Sequence, residues 1–213
     1  MKRISLIFLS FLLFISLCAC GESEPAEAPA SSALSGDGAI SFGTMEGFSY
    51  SNPFVGLSIT LNENWVTLSA EERLAANEIV ATDEAEIMKA LKQKNTVYLF
   101  YAQEINNFNS IKIKADKLGA DAVKSININE KLGEKRDEVR VMLEKMSARD
   151  ITAELSTITV AGKTIPAAVS KGTIFDNTST QIDFLIKSGD YLITVTVMAY
   201  TDSAEILNMF SAL

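Results

Sequence analysis

The chain has 213 residues, with 19 Lys+Arg against 27 Asp+Glu and a formal charge of −8. Apolar residues at 47% and charged residues at 22% are ordinary for a globular domain and exclude a wholly disordered or fibrous chain. The acidic balance argues against nucleic acid as a partner, and the absence of His removes the usual neutral-pH proton shuttle and the commonest transition-metal ligand.

Lys2 and Arg3 precede an uncharged apolar run, Ile4 to Leu17. That run is shorter than the roughly 20 residues a spanning helix needs and fits the core of a secretory signal peptide. It ends in Leu17-Cys18-Ala19-Cys20-Gly21, which resembles the lipobox of bacterial lipoproteins. The resemblance implies a signal peptide over 1–19, cleavage after Ala19 and a diacylglycerol on the Cys20 sulfur. Cys18 fits less well, because Leu17 would stand where a small residue is wanted. Two acyl chains bury on the order of thirty methylenes, about 20 kcal/mol at ~0.8 each, so attachment would be permanent. Both Cys lie in this segment, so the rest of the chain has neither a disulfide nor free thiol chemistry.

Residues 20–47 are rich in Gly, Ala, Ser, Pro and Glu, with five acids and no base. Such a composition cannot bury enough apolar area to offset its ordering entropy, and it predicts a flexible tether after the lipidated Cys20. Gly36-Asp37-Gly38 has no strand before it and no third Gly, so it is not a phosphate loop. Ile40 and Phe42 offer the start of an early strand.

A single domain is expected over 48–213. The alternation in Gly56 to Leu61 predicts a strand, Asn62-Glu63-Asn64 a turn, and Trp65 to Leu68 the return strand. Ser69 with Glu72 is a capping box opening a helix, and Asp83 with Glu86 offers a second helix start. Thr96 to Ala102 reads as a central strand. Ile111 to Ala115 alternates with Lys112 and Lys114 on a wet face. Ile126 to Asn129 alternates too, and the segments beginning at Ser110 and Ser125 echo each other weakly. Glu134 to Ser147 predicts a helix with Val139, Met142, Leu143 and Met146 in one stripe. From Ser156 an antiparallel meander is expected, turning at Ala161-Gly162, Asp176 to Ser179 and Ser188 to Asp190. Asp202 caps a last helix with Phe210 and Leu213 inward. Segregated helices and strands predict an α+β fold.

Two stretches carry a family resemblance. Tyr50-Ser51-Asn52 through Gly56-Leu57-Ser58-Ile59 to Trp65 is similar to the opening hairpin of PsbP-like proteins, with Asn62 where Pro is usual. Gly189-Asp190-Tyr191 and the strand after it are similar to that family's end. The resemblance, which extends to envelope lipoproteins of the DcrB kind, implies an antiparallel sheet packed between helices. It also implies a binding or assembly role rather than an enzyme, and transfers no partner-binding residue.

The expected chemistry is sparse. Without His or a free Cys, a Ser/His/Asp or Cys/His arrangement is excluded, and no G-x-S-x-G, S-x-x-K or Walker loop occurs. No catalytic residue, cofactor or metal ligand is assigned. Asp83-Glu84 with Glu86, and Asp137-Glu138, are the densest acidic clusters and read as helix caps or solvated faces. Asn177-Thr178-Ser179 reads as a turn. Trp65, Tyr98, Tyr101, Tyr191 and Tyr200 offer either an aromatic groove or core packing. Phe54, between Pro53 and Gly56, is a candidate contact residue. The expectation is an extracytoplasmic lipoprotein held at the bacterial membrane through Cys20, with a non-catalytic domain that binds an envelope protein. Alternatives are a receptor for a small ligand or divalent cation, and a hydrolase using paired carboxylates.

Overall fold

The computed structural model describes residues 34–36 and 38–213. The expected signal peptide, Cys20 and tether residues 20–33 lie outside the described residues. The architecture is α+β, with two antiparallel sheets and five helices among the described residues.

The larger sheet has seven strands in the order β4-β5-β6-β10-β9-β8-β7. These are β4 (Trp65–Thr67), β5 (Thr96–Glu104), β6 (Ser110–Lys117), β7 (Arg149–Val160), β8 (Lys163–Ile174), β9 (Asn177–Ser188) and β10 (Tyr191–Ala199). The smaller sheet joins β1 (Thr44–Glu46), β2 (Ser49–Asn52), β3 (Leu57–Thr60) and β11 (Phe210–Ala212) in the order β1-β2-β3-β11. The helices are α1 (Ala70–Ala76), α2 (Glu84–Gln93), α3 (Ala120–Ser125), α4 (Ile128–Lys145) and α5 (Ser203–Leu207).

Alternation along the long strands sorts the two faces of the large sheet. Ile111, Ile113, Phe184, Ile186, Ile193, Val195 and Val197 point to one side. There they meet Tyr50, Leu57, Ile59 and Phe210 of the small sheet, Leu91 of α2 and Ile206 of α5. Tyr50 stacks on Phe100 with ring centroids 4.1 Å apart. On the other side Leu185, Leu192 and Ala168 pack with Leu132 of α4. That helix lies over β7 and β8 and reaches β9. The sheet is therefore packed between helices, with a second sheet added to one layer.

Several expectations change in detail. Trp65 to Thr67 does not return against β3; it pairs with β5 in the other sheet, Trp65 opposite Glu104. Ile126 to Asn129 is not a strand. Asn127 caps α4, its side chain accepting from Asn129 N and Glu130 N, so the echo of Ser110 and Ser125 spans a strand and a helix start. The β8–β9 turn is Phe175–Asp176, both at positive φ, one residue earlier than the expected run. Phe210 is inward but in strand β11, and Leu213 is exposed.

The expected tether is also shorter than its composition implied. Leu34 and Ile40 are buried in the core, and Ser35 bridges Lys187. The fit needs glycine at position 36, where an added Cβ would lie 1.8 Å from the Phe54 carbonyl oxygen. Asn52, fully buried, donates to Ser41 O at 2.9 Å and accepts from Phe54 N at 3.0 Å, which fastens this arm to the domain. Two well-placed apolar side chains and one amide outweigh the entropy that composition suggested.

Register gives the large sheet two ends. At the near end lie Ser35 on Lys187, the β9–β10 turn, the β7–β8 turn and the start of β5. At the far end lie the β5–β6 turn, the β8–β9 turn and the C-terminus of β10. The nine residues of β10 separate the two by about 30 Å at ~3.3 Å per residue.

Candidate functional site

Two polar regions stand apart from the apolar core. One is the half of the large sheet that α4 leaves partly open. Here Lys112, Lys114 and Asp116 of β6 adjoin Tyr98 and Tyr101 of β5 and Thr196 of β10. The expected wet face of Lys112 and Lys114 is instead half-buried, because α4 brings Lys135 and Glu138 over it. At its base is Asp183 of β9, buried and accepting from Thr196 Oγ1 at 2.5 Å and Gln181 Nε2 at 2.7 Å. Burial pushes the Asp183 carboxyl above the usual carboxylate range, against its two hydrogen bonds and the charges of Lys135 and Lys112. Burial likewise lowers the Lys112 ammonium, with Asp183 opposing. For Lys135 burial acts downward, but the Glu138 bond and the charges of Glu138, Asp183 and Asp116 outweigh it and raise the group. Each cation has a carboxylate neighbour, so the region is a nearly neutral charged layer between sheet and helix. It can orient a polar ligand by hydrogen bonds, but it presents no excess charge.

The second region is the far end. The β1–β2 turn, the β5–β6 turn and the segment after β10 lie at this end and expose Phe48 (54%), Ile105 (55%), Phe108 (56%) and Tyr200 (45%). The turns are fixed from below. Ile105 N donates to Asn64 O at 2.8 Å, and Leu61 N to Phe48 O at 2.9 Å. Asn109, buried, accepts from Tyr200 N at 2.7 Å and donates to Glu104 Oε2 at 2.7 Å and Thr201 Oγ1 at 2.8 Å. Phe108 holds φ at 59°, an unusual conformation for an aromatic residue. The chain segments 43–50, 60–66, 103–110 and 199–206 that build this end carry Glu46, Glu63, Glu104, Asp202 and Glu205 and no Lys or Arg. The result is a set of apolar side chains with an acidic rim.

The candidate residues read from the sequence fall elsewhere. Phe54 is not an exposed contact residue. It is 2% exposed and packs edge-on against Tyr191 at 5.4 Å, because the docked arm and Gly56 close over its loop. Trp65 and Tyr191 are core residues, Tyr98 and Tyr101 border the polar layer, and Tyr200 is at the far end, so no single aromatic groove gathers them. Asp83 caps α2, accepting from Glu86 N at 2.9 Å. Asp137 pairs with Arg136 and Arg140, and Glu138 with Lys135. Among the described residues no three Asp, Glu or Cys side chains are placed to hold a metal ion, and no helix is long and apolar enough to cross a membrane. Sequence reasoning missed Phe48, Ile105 and Phe108; the only local signal was an apolar residue inside a polar turn.

No family model and no curated protein matches the chain. Among solved structures, LpqN of Mycobacterium tuberculosis, described as involved in cell envelope biogenesis, aligns with a TM-score of 0.40 at 11% identity. That alignment covers 73% of this chain and 82% of LpqN. A structure from Bacteroides thetaiotaomicron VPI-5482 aligns with a TM-score of 0.37 at 10% identity, over 79% of this chain. The chain spans about half the length of that Bacteroides structure, 49%.

Proposed function

We propose that this chain is an extracytoplasmic lipoprotein of the bacterial cell envelope, held through Cys20. On this reading its domain is a non-catalytic module that binds or helps assemble another envelope protein. The far end carries the proposal. Four large apolar side chains are exposed on turns at this one end, and apolar side chains gathered into one patch mark a protein contact. The acidic rim specifies a partner with a basic surround to an apolar patch, and disfavours the anionic headgroups of a bilayer at this end. The lipobox-like Leu17 to Cys20 supports the anchor, and Leu34 to Gly36 lie at the end of the large sheet opposite these side chains.

A photo-crosslinking residue at Phe108, with Lys171 as the comparison position, tests this in the intact envelope. One discrete crosslinked protein from position 108, weakened in Phe48→Ala and Tyr200→Ala, is expected. Crosslinks equal from both positions would end the proposal. Mass spectrometry of the mature chain tests the diacylated Cys20 separately.

A further inference from the structure

The near end is the electrostatic opposite of the far end. Its turns and caps carry Lys92, Lys94, Lys117, Lys124, Lys163 and Lys187, against Asp121, Glu130 and Asp190, with Glu78 paired to Lys94 and Asp116 to Lys114. Two of these ammoniums are held by neutral carbonyls. Lys117 Nζ donates to Lys92 O at 2.8 Å, and Lys187 Nζ to Lys124 O at 3.0 Å and Ile126 O at 2.8 Å. Carbonyls fix the position of a charge without cancelling it. The ends of strands β5, β6, β10, β9 and β8 spread these lysines over about 20 Å at ~4.8 Å per strand. Leu118, beside Lys117, and Leu213 are exposed at the same end.

The chain is acidic overall, yet this does not decide what the near end meets. The far-end acids are about 30 Å away, several times the ~8 Å screening length at physiological salt. What a surface touching the near end feels is the local lysine excess.

The described chain also begins here, at Leu34. Thirteen residues, fourteen steps along the chain, separate Cys20 from Leu34, a span of at most about 50 Å. A chain held at Cys20 therefore keeps its near end within reach of the bilayer.

We propose that the near end is a docking surface for the anionic phospholipid headgroups of the membrane, turning the domain so that its far end faces away. This deepens the reading above and rests on its anchor. Lysines gathered at one end attract anionic lipid, and the exposed Leu118 and Leu213 can enter the headgroup layer beside them.

Lysine acetylation footprinting of the full chain tests it, on vesicles rich in phosphatidylglycerol and on vesicles of phosphatidylcholine alone. Lys92, Lys117, Lys124 and Lys163 should label about threefold or more slowly on the anionic vesicles, where each lysine gains a favourable contact that added salt removes. Lys145 and Lys171, exposed toward the far end, should label equally on both. In Lys124→Glu/Lys163→Glu the slowing at Lys92 and Lys117 should shrink. Equal labelling on the two vesicles overturns the proposal; this is also the result if the chain's own Glu22, Glu24 and Glu27 shield these lysines. Protection at Lys145 and Lys171 instead overturns it too. Retention on vesicles in high salt reports the anchor by itself, so a chain that washes off but shows the composition-dependent footprint would refute the anchor and keep the docking surface.

Discussion

Replacing Asn109 tests whether the far end is a built surface or a loose pair of turns. Its side chain joins Glu104 and the β5–β6 turn to Tyr200 and Thr201, about ninety residues away in the chain, through three bonds of 2.7–2.8 Å. In Asn109→Ala the Tyr200 N–H loses its acceptor, the buried Asn109 amide, in a part-buried setting, which costs about 1–3 kcal/mol. Glu104 and Thr201 border water and can be rehydrated, so their two bonds add only about 0.5 kcal/mol each. The expected loss is about 2–4 kcal/mol. With a urea dependence of about 1–3 kcal/mol per molar, the unfolding midpoint falls by about 1 M. Trp65 is the chain's one tryptophan, is buried, and pairs with Glu104, so its fluorescence reports unfolding beside the change. Asn109→Asp supplies the sign. The introduced carboxyl keeps an acceptor for Tyr200 N–H but faces Glu104 where the amide donated to it. Like charge and burial raise its folded-state pKa, so its contribution is kept below the ordinary carboxylate range and lost as pH rises through it. This variant should sit nearer the parent at about pH 4 than at pH 7. A midpoint shift under about 0.2 M for Asn109→Ala would refute the bracing argument.

Two further outcomes follow from the interior. Asp183→Ala leaves Lys112 and Lys135 without their shared buried carboxylate and should lower stability by about 3–5 kcal/mol, whereas Thr196→Val, which removes one bond to Asp183, should cost about 1 kcal/mol. Equal urea midpoints for the two variants would show that Asp183 is not the counter-charge of that layer. Burial pushes the Tyr50 hydroxyl well above the usual phenol range, against the Asn52 hydrogen bond and the Arg73 charge. A raised folded-state pKa means that stability is full below the unfolded value of about 10 and falls as pH climbs above it. Tyr50→Phe should therefore lose less stability than the parent between about pH 9 and pH 11, read by thermal unfolding at each pH.

The sheet was legible in the sequence wherever one face was apolar and local. Ile111 to Ala115 and the alternation of β10 show a period of two that backbone geometry alone enforces. The caps at Ser69 and Asp83 were legible because a cap is a contact over three residues. Ile126 to Asn129 misled because a strand and a helix start each place apolar side chains at positions 126 and 128, and only the Asn127 cap distinguishes them. The docked arm was hidden by its composition: one glycine without a Cβ at position 36 and two buried side chains decide its fate, and averages over 27 residues do not weigh single contacts.

The functional surfaces were out of reach for a different reason. Local charge runs in this chain mix both signs, as Lys131, Glu134, Lys135 and Glu138 do along α4. Separation appears only when antiparallel strands bring the turns together. Each hairpin places one of its connections at the near end and the next at the far end, so residues about ten apart in sequence lie about 30 Å apart in space. Lys117 and Asn109 are separated in this way by one strand, as are Lys187 and Asp176. A chain acidic on average can thus gather lysines at one end while the segments around Phe48, Ile105, Phe108 and Tyr200 at the other carry acids and no Lys or Arg. Since screening confines each to its own surroundings, the two ends can be tested by substitution independently. Charge reversal at Lys124 and Lys163 should leave the Phe108 crosslink unchanged in an unanchored chain, and Phe108 substitution should leave the lysine footprint unchanged.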